Sequence, residues 1–250
     1  MKKLFLIAIL TTLAFAAKEP PTLQRAFYKY DNHKFVAAFH DFKKLAIKGN
    51  KKALIQIAYM TEAGEGTKKN IKESFSIFHK LALSGDGESM FQVAKCYETG
   101  KGVKENVYSA INWYEKSFES GFYYANFDLA NLYLNGHSHI PANKSKAIKL
   151  LKAASDKDQP ESQYKLSTFY AEGNFLPKNE KLSLKYLQLA AKNELPIALN
   201  NLGIRYYSGI GVPVDIIYAH ELIMHAFNLG YTPAKNNLLM IYKKYPSLYN

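Results

Sequence analysis

A polar column recurs down the chain with a spacing of 36 or 37 residues: Gln56, Gln92, Asp128, Lys165, Asn201 and Asn237. Asn131, Asn200 and Asn236 lie beside it. An amide offers two donors and an acceptor, which suits an extended peptide backbone that alternates N–H and C=O. Arg205 and Lys165 would supply positive charge to an acidic partner. Solvated positions on any helix are polar too, so a plain surface role for the column is equally open. A second feature is Ser162-Gln163-Tyr164-Lys165, an S-x-x-K run. That run is one part of a serine acyl-transfer signature that also needs S-D-N and K-T-G, and both are absent. With 15 serines and 31 lysines in 250 residues, one such match is within chance. His137-Ser138-His139 places two imidazoles at i and i+2, where Asp128 or Glu172 would have to complete a metal site. An exposed polar insert is the simpler reading, and no metal, cofactor or catalytic residue is expected. Cys96 falls in a column otherwise held by Met60, Leu132, Phe169, Arg205 and Ile241. Four of those five are apolar, so Cys96 reads as a small buried hydrophobe and not as a nucleophile.

The elements that would position these side chains follow from the same period. Ile57, Val93, Leu129, Leu166, Leu202 and Leu238 are separated by 36, 36, 37, 36 and 36 residues. The next position is small in five of six units: Ala58, Ala94, Ala130, Ser167 and Gly203, then Leu239. Further along each unit come Thr61, Tyr97, Tyr133, Tyr170, Tyr206 and Tyr242, and then a glycine at 64, 100, 136, 173 or 209. The second half of each unit repeats a small residue (Ser74, Ala110, Ala147, Ser183, Ala219) followed by a bulky pair such as Trp113/Tyr114 or Leu222/Ile223. Apolar positions at i, i+3, i+4 and i+7 predict helices, and a second set of breaks falls at Gly85, Gly121, Asp158, Glu194 and Gly230. Each unit is thus two helices of about 12 to 14 residues joined by a short loop. One such hairpin cannot bury its apolar face, whereas stacked neighbours can. The fold class expected is all-α, a right-handed α/α superhelical solenoid of about six helix-pair repeats of 36 residues.

The stretches LNNLGIRYYSGIGVPVDIIYAHELIMHAFNLG (199–230) and VAKCYETGKGVKENVYSAINWYEKSFESG (93–121) resemble Sel1-like repeats. Tetratricopeptide repeats run at 34 residues and lack the GxGV loop. The resemblance implies repeats at 51–86, 87–122, 123–159, 160–195 and 196–231. A degenerate first unit at 17–50 and a C-terminal half repeat at 232–250 would flank them. Unit three carries one extra residue in Gly136-His137-Ser138-His139-Ile140, and unit four has Gly173-Asn174-Phe175 in place of GxG. Proteins of this kind are mostly scaffolds and adaptors, so a non-enzymatic chain that binds a protein or peptide is implied, with the polar column on its concave face. The alternative is a β-lactamase or penicillin-binding hydrolase like the cysteine-rich members of the family. Those carry a cysteine pair in each repeat, and this chain has one cysteine.

Composition and the N-terminus set the location. The net charge is +12, but only Arg25 and Arg205 of the 33 basic residues are arginine. Readout of nucleic-acid phosphates and guanine leans on arginine, so a nucleic-acid partner is not expected. Residues 1–17 read MKKLFLIAILTTLAFAA: two lysines, an apolar run, then Ala14-Phe15-Ala16 in the small-x-small pattern of a cleavage site. A cut after Ala16 would remove Lys2 and Lys3, lowering +12 to +10. The apolar run is too short to span a bilayer comfortably, and no later one approaches about 18 residues. A monomer in the periplasm, or secreted, is expected. The closing KKYPSLYN reads as a terminal cap.

Overall fold

The structure, a computed structural model, describes residues 22–137 and 139–248. The signal segment expected at residues 1–16 lies outside the described residues. The described residues form thirteen α-helices: α1 (Leu23–Asp31), α2 (Phe35–Ile47), α3 (Lys51–Ala63), α4 (Ile71–Leu83), α5 (Gly87–Thr99), α6 (Val107–Glu119) and α7 (Ala125–Asn135) come first. Then come α8 (Lys144–Ser155), α9 (Pro160–Glu172), α10 (Glu180–Lys192), α11 (Pro196–Ser208), α12 (Ile216–Asn228) and α13 (Ala234–Lys244), and a 3₁₀ turn at Pro246–Leu248. The fold is the all-α helix-pair solenoid that the period predicts. Two compact units divide at Trp113/Tyr114, within α6. The first helix of each pair (α1, α3, α5, α7, α9, α11, α13) is termed an A helix and the second a B helix.

Within each pair from α3 to α12 the loop is closed by one residue. Asn70, Asn106, Asn143, Asn179 and Asp215 stand immediately before five of the six B helices, α4, α6, α8, α10 and α12, while α2 follows Lys34, which makes no side-chain cap. Each side-chain oxygen accepts from the N–H three residues on, at 2.9–3.1 Å (Glu73, Ser109, Lys146, Leu182, Tyr218). Each backbone N–H meanwhile donates to the carbonyl of the tyrosine column, Thr61, Tyr97, Tyr133, Tyr170 or Tyr206. One residue type therefore caps the B helix and ties its start to the end of the A helix. The turn between pairs is a left-handed one: Gly49, Gly85, Gly121, Asp158, Glu194 and Gly230 have φ between +58 and +96. The N–H after each of these returns to a carbonyl in the last turn of the B helix (Asp86 to Leu81, Leu195 to Ala190), satisfying an otherwise orphaned acceptor.

The small columns set how closely the helices approach. A Cβ on Gly203 would lie 2.5 Å from Ile223 and 2.9 Å from the Ala219 carbonyl, so α11 and α12 meet almost backbone to backbone. Ser167, in the same column, donates to the Ser183 carbonyl at 2.8 Å. Leu239 occupies this column in α13, which a 3₁₀ turn follows, and it is exposed. The anchor column from Ile57 to Leu238 is buried throughout, as are Phe78, Tyr114, Leu151, Leu187 and Ile223, the second residue of each bulky pair. Trp113, the first residue of its bulky pair, is half-buried against the core and meets His79 edge-on. Residues 22–50 do form a helix pair, with Phe42 fully buried, and Tyr245 and Leu248 pack back onto the last core cluster.

The second glycine of each GxG loop rests on the start of the preceding B helix. A Cβ on Gly66 would sit 2.3 Å from the Phe35 carbonyl oxygen, and one on Gly102 2.7 Å from that of Ile71. Unit four lacks this glycine. Its Phe175 stacks on Phe169 with ring centroids 4.4 Å apart, and Lys144, at the start of the preceding B helix, lies over the Phe175 ring. An aromatic–cation contact takes the place of a glycine contact there.

Two consequences are measurable by urea unfolding. Glu194, a non-glycine residue at φ +58, carries left-handed strain, and Glu194→Gly is expected to stabilise the chain by about 1 kcal/mol. Gly66→Ala is expected to destabilise it more than Gly49→Ala does, because a Cβ on Gly49 meets nothing within 4 Å.

Candidate partner-binding face

The polar column lies on the A helices, and its amides are engaged with neighbouring repeats. In the first unit Gln92 donates to the Tyr59 hydroxyl at 2.8 Å, and that hydroxyl donates to Glu88 at 2.8 Å. Burial pushes the Tyr59 phenol well above its ordinary range, and the Glu88 carboxylate adds to the shift, so the phenol stays a neutral donor. Gln56 bonds Tyr30, whose hydroxyl donates to Glu65 at 2.8 Å. In the second unit four residues form one ladder across three A helices. Asn237 of α13 donates to Asn200 at 2.7 Å, Asn200 to Asn201 at 3.1 Å, and Asn201 to the Tyr164 hydroxyl of α9 at 3.0 Å. Lys165 lies over the Phe169 ring, and Asp128 too has an interaction partner.

This placement revises the expected site. Asn200 is buried, 4% exposed, and bridges two other amides; it is a structural residue and does not face a partner. Arg205 reaches Glu180 and the Ser183 hydroxyl (2.8 Å), with its side chain 13% exposed, so its charge is answered within the chain. Its column is apolar elsewhere because that position points into the helix pair; only the Glu180 carboxylate makes an arginine tolerable there. Gln56, Gln92, Asp128, Asn131, Lys165, Asn201 and Asn237 are half-buried, and Asn236 is exposed. The face thus presents the edges of a hydrogen-bonded network. Sequence reasoning found the amides but not their tyrosine partners, which belong to different columns in different repeats (Tyr59, Tyr164) and have no common spacing to the amide they meet.

The S-x-x-K run is not assembled for chemistry. Ser162 is fully buried at the start of α9, and Lys165 points to Phe169. The His137 insert is a tight turn held by two backbone hydrogen bonds between His137 and Ile140, at 2.7 and 3.0 Å. Among the described residues no group of three or more His, Cys, Asp or Glu side chains is placed to hold a metal. Cys96 is buried, and burial raises its thiol pKa to about 11. No helix among the described residues is long and apolar enough to cross a membrane.

A stack of loop-closed helix pairs with an interlocked polar face defines an all-α repeat scaffold. The Sel1 repeat model matches residues 51–86, 87–122, 124–159, 160–195 and 196–223, and the chain belongs to the Sel1 repeat family. Its fold is similar to that of a Sel1 repeat protein from Oxalobacter formigenes (24% identity over 88% of this chain and 90% of that one, TM-score 0.74). It is also similar to that of immunity protein Pa5087 from Pseudomonas aeruginosa (16% identity, 85% of each chain, TM-score 0.58). No curated protein matches the chain.

Asn200→Ala is expected to lower stability by about 1–3 kcal/mol, since it leaves the Asn237 and Asn201 amides without this partner; urea unfolding measures this. With its pKa near 11, Cys96 is almost wholly protonated at pH 8. Its reaction with a disulfide reagent is therefore expected only after denaturant is added.

Proposed function

We propose that this chain is a non-enzymatic adaptor of the cell envelope that holds a protein or peptide partner. The observation that carries the reading is the state of the polar column. Its amides are held by neighbouring repeats, giving a preorganised surface of fixed donors and acceptors. Preorganisation lowers the entropy lost on binding, which favours recognition. Half-buried amide edges on successive A helices suit an extended backbone, and burial of Ser162 speaks against the β-lactamase-type alternative. The N-terminal signal pattern supports export, and the lysine surplus without arginine clusters supports a partner other than nucleic acid.

Two measurements test this. Mass spectrometry of the exported chain is expected to find Ala17 at its N-terminus, and a chain retaining Met1 would overturn the envelope location. The mature chain is expected to turn over nitrocefin no faster than buffer. Turnover that Ser162→Ala abolishes would replace the adaptor with the hydrolase.

A further inference from the structure

The same groove opens three times on the B-helix side, each time between successive B helices and over the A helix that joins them. The first lies between α2 and α4 over α3, the second between α6 and α8 over α7, and the third between α10 and α12 over α11. Each encloses about 410–420 Å³. Corresponding positions line them, so their differences show what each repeat has changed.

In the second groove the carboxylates of Glu115 and Glu119 share the lining with Lys146 and Lys149, and Lys146 pairs with Glu115 at 3.4 Å. The third has Gln188 and Lys192 with Tyr218, and residues 180–228 around it carry four basic and four acidic side chains. The first groove differs in its balance of charge, with two lysines against one carboxylate in its lining. Its floor is apolar (Leu54, Ile57), Lys43 stands on one wall, and Lys80 stands on the other with one carboxylate, Glu73. Residues 35–83 hold nine lysines and four carboxylates, a net +5. All four carboxylates already accept from other groups: Asp41 from Lys29, Glu62 from Lys101, Glu65 from Tyr30 and Glu73 from Asn70. Two residues before each left-handed turn position stand Ile47, Leu83, Glu119, Asp156, Lys192 and Asn228 down the chain. Only the first two are apolar, and they are 84% and 69% exposed. Water-facing aliphatic side chains beside a net positive field mark a surface built to be covered.

We propose that the α2–α4 groove docks an acidic amphipathic segment of a partner protein, with aliphatic side chains on Leu54, Ile57 and Ile47 and carboxylates on Lys43 and Lys80. Charge complementarity selects an acidic occupant, and a concave cleft between two helices takes side chains of a peptide better than it takes a flat bilayer. This rests on the adaptor reading and adds to its A-helix face a second contact on the B-helix side.

The test uses the mature chain and a fluorescein-labelled peptide of about 14 residues, roughly four helical turns, with leucine on one face and glutamate elsewhere. Anisotropy at about 0.15 M salt is expected to show saturable binding. Lys43→Glu with Lys80→Glu should weaken it about tenfold or more, and Ile47→Ser about fivefold. Lys192→Glu, in the third groove, should leave it unchanged. These side chains are at the surface, and unchanged thermal melts confirm folding. Equal binding of a leucine-free or a lysine-bearing twin would overturn the proposal, as would equal loss in Lys192→Glu or binding only to anionic phosphatidylglycerol vesicles. Capture from an envelope extract at about 0.3 M salt separates the two readings. A protein held equally by wild type and the double variant removes the groove but keeps the adaptor; peptide binding with no captured protein does the reverse.

Discussion

The repeat depends on one residue doing two things at the start of the B helices from α4 to α12. An asparagine or aspartate there caps the helix with its side chain and, with its own N–H, holds the tyrosine-column carbonyl at 2.6–3.0 Å. Left open, the last carbonyls of the A helix and the first N–H groups of the B helix would be orphans at the edge of a packed interface. Closing both at one point fixes the angle at which the second helix returns over the first. The small columns then become usable: Gly203 can approach the Ala219 carbonyl only if the loop delivers α12 at that distance. Glycine in the left-handed position and glycine on the preceding helix are consequences of the same closure, since each serves a chain path already set.

Repetition of the frame leaves few places where chemistry can vary. Buried columns are constrained by packing. Polar side chains on the A helices are drawn into bonds between repeats, because a half-buried amide without a partner would cost more than it could return in binding. Variation collects where the frame does not use the side chain: at the ends of the B helices, along the groove walls, and in the loop of unit four. There Phe175 replaces a glycine and finds Phe169 and Lys144. Such departures are more informative than the pattern, because five aligned copies within one chain act as controls for one another.

The location of the exposed charge follows the same division. Arg205, the arginine within the repeats, is inside a helix pair and neutralised by Glu180. Lysines remain outside, where a flexible hydrated ammonium contributes a diffuse field. That field is uneven. Around α2 and α4 the carboxylates are committed to fixed partners, and the positive excess falls on a cleft with an apolar floor. A scaffold of this type can thus hold a partner through a surface that no motif marks.

The helices, their pairing, both sets of turns and the buried columns were legible in the sequence because each is a one-dimensional rule: an apolar period, a small residue, a break. Even Asp158 and Glu194 could be placed in the glycine column by register alone, and both have positive φ. The column of Asn70, Asn106, Asn143, Asn179 and Asp215 was equally available, but its meaning required knowing which carbonyl each N–H reaches. The polar site was only half legible. Type and spacing gave Gln92, Asn201 and Asn237; they did not give Tyr59, Tyr164 or the burial of Asn200, which depend on side chains from another repeat arriving at hydrogen-bond distance. Sequence determines what each helix must bury, since hydrophobicity is a property of the residue. Tertiary structure decides which polar groups are left to act, because a hydrogen bond is a property of the pair.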